Sequence, residues 1–297
     1  MPRGLTLLIG EAGTGKTTLV QSVLAELDHD HVECVLLSNP TLTRAEFYEF
    51  LAAGFGLGPE AATSKTRFLF ELRAHLEARY AAGRLSALVL DEAQSLPYEL
   101  LEEVRLLSNI ETATVKLLNV VLAGQPELAD RLNEPGLRQF KQRISLRCEL
   151  TALDFAETAA YVAGRLRIAG GDPRHIFSRE ALLAVHETSG GVPRVINVIC
   201  ENALIGGFAA QVKPVLRGMV DAVCRDFHLQ RLSSEAAAGA ASGADADDVS
   251  ALLATRADAD EASALPATRP SAASNGRGEA VAPMFGTFGP KKRFSLF

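Results

Sequence analysis

The sequence is poor in cysteine, and its cysteines form no recognisable pair. Cys34, Cys148, Cys200 and Cys224 lie far apart in the 297 residues, and none belongs to a CxxC motif. Their spacing excludes a zinc knuckle and a small scaffold held together by disulfides. It is typical of a protein in a reducing cytosol.

Long apolar runs and excess positive charge are also lacking. No apolar run approaches the roughly 20 residues that span a bilayer, and no secretory signal precedes the first apolar segment. The formal net charge of -6 gives no general electrostatic basis for binding nucleic acid, although it leaves room for a local basic stripe. We therefore expect a soluble, cytoplasmic protein that reaches a membrane only through a partner.

A glycine-rich stretch near the N-terminus carries the strongest signal. It lies between residues 5–9, an apolar run that predicts a buried strand, and residues 19–27, where apolar residues recur at helical spacing. A strand, a glycine-rich turn and a helix form the context in which GxxxxGK[ST] binds phosphate. The stretch consists of Gly10, Glu11, Ala12, Gly13, Thr14, Gly15, Lys16, Thr17 and Thr18.

The residue types of this stretch suit a nucleotide with Mg²⁺. Glycines let successive backbone N–H groups and the positive end of the helix point at one anion. Lys16 would reach the β- and γ-phosphates, and the Thr17 hydroxyl would join the Mg²⁺ shell. The alternative is a glycine-rich turn that matches the pattern by accident.

A second motif follows the apolar run 87–90, which ends in Asp91 and Glu92. In open α/β sheets the ligand binds at the carboxyl ends of the strands. Asp91 would hold Mg²⁺ directly or through water, and Glu92 would polarise the attacking water as the general base. The alternative is a solvated acidic turn before the predicted helix 98–108.

Gln125 stands at the tip of a further predicted strand, residues 116–123. A polar side chain there can contact the γ-phosphate or orient the water. The alternative is an ordinary turn residue, since Gly-Gln-Pro is good turn chemistry.

The order of elements predicts the fold and the domains. Strands, the second of them predicted at residues 32–37, alternate with helices up to residue 151, which indicates an α/β fold whose parallel sheet is sandwiched by helices. Residues 152–232 read as helices only and predict a small all-α domain. Its helices are predicted at residues 155–168, 178–187, 193–208 and 214–227, with Ser178 as an N-cap. Residues 233–297 are rich in Ala, Ser, Asp and Gly, which predicts disorder.

Four segments together resemble the AAA+ ATPases, and more narrowly the ExeA/GspA-type ATPases of bacterial general secretion pathways and their relatives in exopolysaccharide and exosortase loci. The segments are the phosphate loop and residues 88–94, 122–128 and 189–197. The resemblance covers about residues 4–228. It implies a P-loop NTPase core, a helical lid, ATP and Mg²⁺ as ligands, and assembly into a homo-oligomer.

The resemblance also implies roles for three residues. Gln125 takes the sensor 1 position, and Arg194 takes the sensor 2 position at the start of a lid helix. Arg143 takes the place of the arginine that reaches the γ-phosphate of a neighbouring subunit, with Arg138 in reserve. For each arginine the alternative is a surface cation.

The sequence departs from the family at its N-terminus, because relatives carry several tens of residues before the first strand and part of that segment covers the adenine. We expect either a misplaced start or a weak hold on adenine. The transmembrane and peptidoglycan-binding regions of ExeA-type proteins are also not found in this sequence. The shorter, soluble relatives therefore fit better.

These expectations favour an ATP-hydrolysing protein that drives or regulates assembly of a secretion or polysaccharide-export apparatus. One alternative is a DNA-associated ATPase of the transposition-regulator type, because Arg138, Lys141, Arg143 and Arg147 crowd together. Another is a nucleotide-dependent switch with little turnover.

Overall fold

A computed structural model describes residues 4–38 and 41–229 of the protein. Their contacts divide them into two compact units, one ending at Ala152 and the other beginning at Leu153. The tail predicted for residues 233–297 lies outside the described residues, so its disorder stays a prediction.

The first unit is built on a five-stranded parallel sheet. Its strands are β1 (Leu5–Gly10), β2 (Val32–Leu37), β3 (Leu85–Leu90), β4 (Leu118–Gly124) and β5 (Ile144–Leu150). Their order across the sheet is β2-β3-β4-β1-β5, and every neighbouring pair is parallel. The predicted parallel sheet is confirmed, and β1 lies in its interior, where its lack of charged side chains is explained by burial.

Helices connect the strands. They are α1 (Lys16–Glu26), α2 (Arg44–Gly54), α3 (Lys65–Ala81), α4 (Tyr98–Leu107), α5 (Pro126–Arg131) and α6 (Arg138–Lys141), with single 3-10 turns at Ala93–Ser95 and Pro135–Leu137. Thr43 opens α2 with a capping box shared with Glu46. Helix α5 is an addition to the sequence prediction, in which residues 124–126 read as a turn. Pro126 is the first residue of that helix, a position that proline favours because its missing N–H needs no partner there.

Apolar side chains bury both faces of the sheet. On one face, Leu7, Leu88 and Val120 pack into the main core, together with side chains of α2 to α6 such as Phe47 and Phe140. On the other face, a smaller cluster of Leu8, Val89 and Ala123 packs against Val20 of α1. The sheet is therefore sandwiched by helices, as predicted. Helix α1 follows the carboxyl end of β1 after a short loop and packs on one face of the sheet.

The second unit is all helical in its described part, apart from an isolated bridge. It contains α7 (Phe155–Ile168), a 3-10 turn (Pro173–His175), α8 (Arg179–Ser189), α9 (Pro193–Ala209) and α10 (Arg217–Asp226). Asp154 caps α7 through a capping box, and the predicted cap Ser178 accepts a hydrogen bond from the Ala181 N–H at 3.2 Å. The buried residues Val185, Ile196 and Val220 belong to the core of this unit.

Helix α10 begins later than the predicted residue 214. The Val215 N–H donates to the Ile176 carbonyl at 2.8 Å, and the Val215 carbonyl accepts from the Ser178 N–H at 3.0 Å. These bonds make Val215 part of a short bridge beside Phe177, so its backbone groups are already paired outside a helix. Among the described helices of both units, none has the length and hydrophobicity required to cross a membrane.

Candidate active site

The loop between β1 and α1 has the backbone geometry that its glycines permit. Gly13 and Gly15 have φ angles of 82° and 99°, a left-handed region that residues with a Cβ rarely adopt. A Cβ at Gly10 would stand 2.8 Å from both the Leu150 carbonyl oxygen and the Thr14 hydroxyl. The chain therefore turns from β1 into the first turn of α1, where free N–H groups favour an anion.

Lys16 is folded against this loop. Its ammonium donates to the carbonyl oxygens of Gly10 at 2.7 Å and Glu11 at 3.0 Å, and the residue is only 5% exposed. The Thr14 hydroxyl also donates to Glu11, at 2.8 Å. The positive charge is thus concentrated inside the loop, next to the end of α1 that attracts phosphate.

Asp91 lies at the carboxyl end of β3 and meets α1. The Thr17 hydroxyl donates to Asp91 Oδ2 at 2.6 Å, and the Glu92 N–H donates to Oδ1 at 2.9 Å. Asp91 is 2% exposed, and its own N–H donates to the Leu37 carbonyl at 2.9 Å. The structure therefore brings both predicted metal ligands, Thr17 and Asp91, into direct contact.

The oxygen pair of Thr17 and Asp91 fits Mg²⁺. This hard ion prefers oxygen ligands and is usually held by one or two protein groups, with water and phosphate oxygens completing the octahedron. Within residues 4–38 and 41–229, no group of three His, Cys, Asp or Glu side chains forms a complete metal cage. The donor set matches an ion that is bound together with a nucleotide.

Glu92 follows Asp91 in a strained backbone conformation. Its φ is 52°, which costs a residue with a side chain on the order of 1–3 kcal/mol. The conformation ends β3 and turns the chain into the 3-10 turn Ala93–Ser95. The carboxylate is half-buried, and its Oε2 accepts from the side-chain amides of Gln94 at 2.5 Å and Gln125 at 3.4 Å.

Gln125 directly follows β4 and is the N-cap residue of α5. Its backbone N–H donates to Gln94 Oε1 at 3.1 Å, while its side-chain amide is the one that reaches Glu92. The predicted residues Glu92 and Gln125 therefore lie together at the carboxyl edge of the sheet. Gln94 lies between them, although the sequence alone predicts no role for it; the only signal for it is its place beside two carboxylates at a strand end.

A cavity of about 310 Å³ adjoins the phosphate loop on the β5 side. It is lined by Gly10 and Glu11 of the loop, by residues 149–152 at the end of β5, and by residues of α5. Pockets for small ligands occupy about 300–1,000 Å³. The first unit thus leaves room beside the loop for a further part of a bound molecule.

Two of the predicted arginines, Arg143 and Arg138, belong to the first unit but are not part of this cluster. Arg143 is exposed and directly precedes β5, so it stands at the amino edge of a sheet whose carboxyl edge carries Asp91 and Glu92. Hydrogen bonding from Lys116, together with the charge of Lys116 and, more weakly, Arg143, lowers the pKa of Glu111. Arg138, the reserve, is exposed on α6.

Arg194 belongs to the second unit, where it is exposed in the first turn of α9. The preceding loop requires glycine, since Gly191 has a φ of 74° and a Cβ there would stand 1.9 Å from the Leu153 carbonyl oxygen. This loop fixes the start of α9 within its own unit.

Comparison with known proteins places this geometry in a family. A family model described as an AAA domain matches residues 1–132. The chain is 44% identical over 216 residues to General secretion pathway protein A of Aeromonas hydrophila. The predicted resemblance to the ExeA/GspA-type AAA ATPases is confirmed. The match covers 72% of this chain and 39% of that relative, so this chain corresponds to less than half of the relative's length.

Solved structures agree on the fold. The ORC2 protein of Aeropyrum pernix in its ADPNP-ADP complexes has a TM-score of 0.54 and 17% identity, covering 79% of this chain and 64% of that one. Its ADP form has the same TM-score and the same identity, and the match covers 88% of this chain and 74% of that one. At this identity the likeness concerns the fold alone, and it confirms the predicted P-loop NTPase fold. Residues 1–132 therefore correspond to an AAA nucleotide-binding domain, and the chain is related to General secretion pathway protein A.

Proposed function

We propose that the protein binds ATP with Mg²⁺ and hydrolyses the bond between its β- and γ-phosphates. The observation that carries this proposal is the contact of Thr17 with Asp91 at 2.6 Å beside a carboxylate, Glu92, that two side-chain amides hold. An oxygen pair suited to Mg²⁺ and a candidate base stand at one edge of the sheet, next to a lysine-bearing phosphate loop. The ORC2 structures, which are complexes with ADPNP and ADP, support the choice of an adenine nucleotide.

Each residue of the site has a distinct task in this proposal. Lys16 would exchange its two carbonyl partners for phosphate oxygens, and Thr17 and Asp91 would hold Mg²⁺, which would neutralise charge on the phosphates. A water oxygen attacks the γ-phosphorus and the bond to the bridging oxygen breaks. Glu92 takes the proton of that water, and Gln125 orients the water or the γ-phosphate, so that ADP and phosphate leave.

We further propose that copies of the chain complete one another's sites. Arg143 is exposed and stands at the edge opposite its own Asp91 and Glu92, which suits a residue that stabilises transition-state charge on a neighbour's γ-phosphate. Arg138 is the reserve for this role. Arg194, at the start of α9, is proposed to contact nucleotide from the helical unit, which acts as the lid.

For the process served, we propose assembly or regulation of a secretion or polysaccharide-export apparatus from a cytoplasmic location. The name of the relative, General secretion pathway protein A, supports this assignment, although the match spans 39% of that protein. The partners are protein components of that apparatus, and any membrane association is through them.

A DNA-associated ATPase is the second candidate. Four basic side chains are exposed in this region: Arg138 and Lys141 on α6, Arg147 on the edge strand β5, and Arg143 between the two elements. DNA binding that requires ATP and weakens steeply with salt would favour this candidate, because each phosphate contact releases counterions.

The proposed activity is tested by phosphate release from ATP with and without Mg²⁺, across a series of protein concentrations. We expect turnover that EDTA abolishes and that Lys16→Ala removes. A Lys213→Ala variant, which changes an exposed lysine of the second unit, serves as the matched control and should retain turnover. Absence of Mg²⁺-dependent turnover at every concentration would contradict the proposal.

A further inference from the structure

Gln94 joins the two side chains to which the proposed hydrolysis assigns the handling of water. Its Nε2 donates to Glu92 Oε2 at 2.5 Å, and its Oε1 accepts from the Gln125 N–H at 3.1 Å. The ends of β3 and β4 are therefore linked through one amide. The side chain of Gln125 approaches the same Glu92 oxygen at 3.4 Å, which closes the arrangement.

The two partners fix the orientation of the Gln94 amide. A backbone N–H can only donate, so it requires the oxygen of the amide, and an ionised carboxylate can only accept, so it requires the nitrogen. Neither a carboxylate nor an apolar side chain of the same size can satisfy both partners. Glutamine is thus specifically suited to this position.

The surroundings hold Gln94 in place. The guanidinium of Arg131, at the end of α5, donates to the Gln94 carbonyl and to the Leu96 carbonyl, the latter at 2.9 Å. Gly124 lies so close that a Cβ there would stand 3.0 Å from Gln94 Oε1. The amide is therefore restrained both through its own backbone and through the space around its oxygen.

Both amide bonds reach the same oxygen of Glu92. The other oxygen, Oε1, receives no hydrogen bond from any residue in the described part of the chain. Two hydrogen bonds to one oxygen restrict the movement of the carboxylate and leave the second oxygen for water. Because Glu92 is only half-buried, water can reach it.

We infer that Gln94 is a positioning residue that holds the carboxylate of Glu92 in register with Gln125 for hydrolysis. Gln94 exchanges no proton in this role; the proton of the attacking water passes to Glu92. The inference deepens the proposed ATP hydrolysis and rests on it. It also assigns to Arg131 the task of keeping the turn that carries Gln94 attached to α5.

Two variants separate the bonds that Gln94 makes. Gln94→Met keeps the length of the side chain and removes both bonds, whereas Gln94→Glu keeps an acceptor for the Gln125 N–H and loses the donor to Glu92. In both variants we expect kcat for ATP to fall on the order of 10- to 100-fold, less than the loss of a general base itself, with KM within about 2-fold of the parent. Gln21→Met, an exposed site on α1, is the matched control and should leave both parameters unchanged.

Amide hydrogen exchange of the nucleotide-free protein gives a readout that does not depend on turnover. The backbone N–H proton of Gln125 should exchange faster in Gln94→Met, because that variant removes its acceptor. In Gln94→Glu it should exchange at nearly the parent rate, because a carboxylate oxygen can still accept from it. Equal exchange in all three proteins would overturn the proposed link between β3 and β4.

A double-mutant cycle shows whether Gln94 acts through Glu92. In single-turnover measurements, Gln94→Met should lower the rate of ATP hydrolysis when it is introduced into the parent. It should lower that rate little further when it is introduced into Glu92→Gln, since the effects of residues that act as a unit are not additive. Equal slowing in both backgrounds, or a parent rate in Gln94→Met, would overturn the inference and leave the proposed function standing. If Glu92→Gln itself kept full turnover, the assignment of Glu92 as the general base would fail, and this inference with it. Failure of the proposed hydrolysis is a separate outcome, because the parent itself would then show no Mg²⁺-dependent turnover.

Discussion

The Thr17 hydroxyl and the buried Asp91 carboxylate are 2.6 Å apart, although 74 positions separate them in the chain. The contact joins the first turn of α1 to the end of β3 and closes the site between the phosphate loop and the strand that carries Glu92. It creates a preformed oxygen pair at the place where the proposed Mg²⁺ ion is needed.

Replacement of Thr17 tests this contact. Thr17→Val preserves shape but leaves Asp91 without its hydroxyl donor, and loss of a hydrogen bond to a charged group costs about 1.5–3 kcal/mol. We expect a lower free energy of unfolding in urea without nucleotide, and a weaker affinity for ATP in the presence of Mg²⁺. Thr66→Val, at an exposed site on α3, is the control. An unchanged Mg²⁺ dependence of binding in Thr17→Val would contradict the ligand assignment.

Gly15 provides a test of backbone geometry. Its φ is 99° and no atom would lie within 4 Å of an added Cβ, so Gly15→Ala meets conformational strain without a clash. We expect a loss of about 1–3 kcal/mol in stability. The matched change is Gly164→Ala in α7, which also meets open space but has a helical backbone. It should stabilise by about 0.5–1 kcal/mol. Thermal unfolding distinguishes the two, and effects of the same sign would contradict this account.

Glu103 ties α2, α3 and α4 together and provides a test of pH dependence. The Tyr48 hydroxyl donates to its carboxylate, and the Lys65 ammonium donates to both oxygens, at 2.8 and 2.7 Å. Burial works to raise the pKa of Glu103, but the hydrogen bonds from Lys65 and Tyr48 and the charges of Lys65 and Arg44 together outweigh it and hold the pKa below 4.5, the ordinary value.

The sign of the pH effect follows from that lowered pKa. Stability from the ionised carboxylate is fully present above pH 4.5 and is lost as the pH falls through the lowered value in the folded protein. Glu103→Gln should be less stable than the parent by about 1–3 kcal/mol at pH 7, and urea unfolding should show the gap closing in acid. A gap that stays constant from neutral pH into acid would exclude this explanation.

Replacement of Arg143 tests whether copies of the chain assemble to complete the site. If neighbouring copies complete the site, ATP turnover per subunit should rise with protein concentration, and Arg143→Ala should abolish that rise. Arg179→Ala, an exposed change on α8, should behave like the parent. A flat rate per subunit, with Arg143→Ala silent, would remove the intersubunit role and favour a monomeric switch or a site completed by another partner.

Much of the fold could be predicted because hydrophobic periodicity is local. Strand β2 and helix α7 span the predicted residues 32–37 and 155–168. Helix α5 could not be predicted because Gly-Gln-Pro suits both a turn and a helix start. The predicted start of α10 is wrong because the backbone of Val215 is hydrogen-bonded to Ile176 and Ser178, which are distant in sequence, and not within a helix.

The phosphate loop, Asp91, Glu92 and Gln125 could be found from strand ends, since parallel strands bring those ends together. The position of Gln94 between Glu92 and Gln125, and its hydrogen bond from Arg131, could not be found in this way. Their hydrogen bonds connect residues 31 and 37 positions apart, and such bonds depend on the final placement of α5 against the turn after β3. The positive φ of Glu92 could not be predicted either, because glutamate is not a residue type that favours this conformation.

The most direct test of the proposed hydrolysis is to measure ATP binding and ATP turnover on Glu92→Gln side by side. Glu49→Gln, an exposed change on α2, is the matched control. We expect Glu92→Gln to bind ATP with Mg²⁺ as tightly as the parent while turnover falls on the order of 10²- to 10⁴-fold, and Glu49→Gln to match the parent in both. Turnover that survives unchanged in Glu92→Gln would contradict the assignment of Glu92 as the general base.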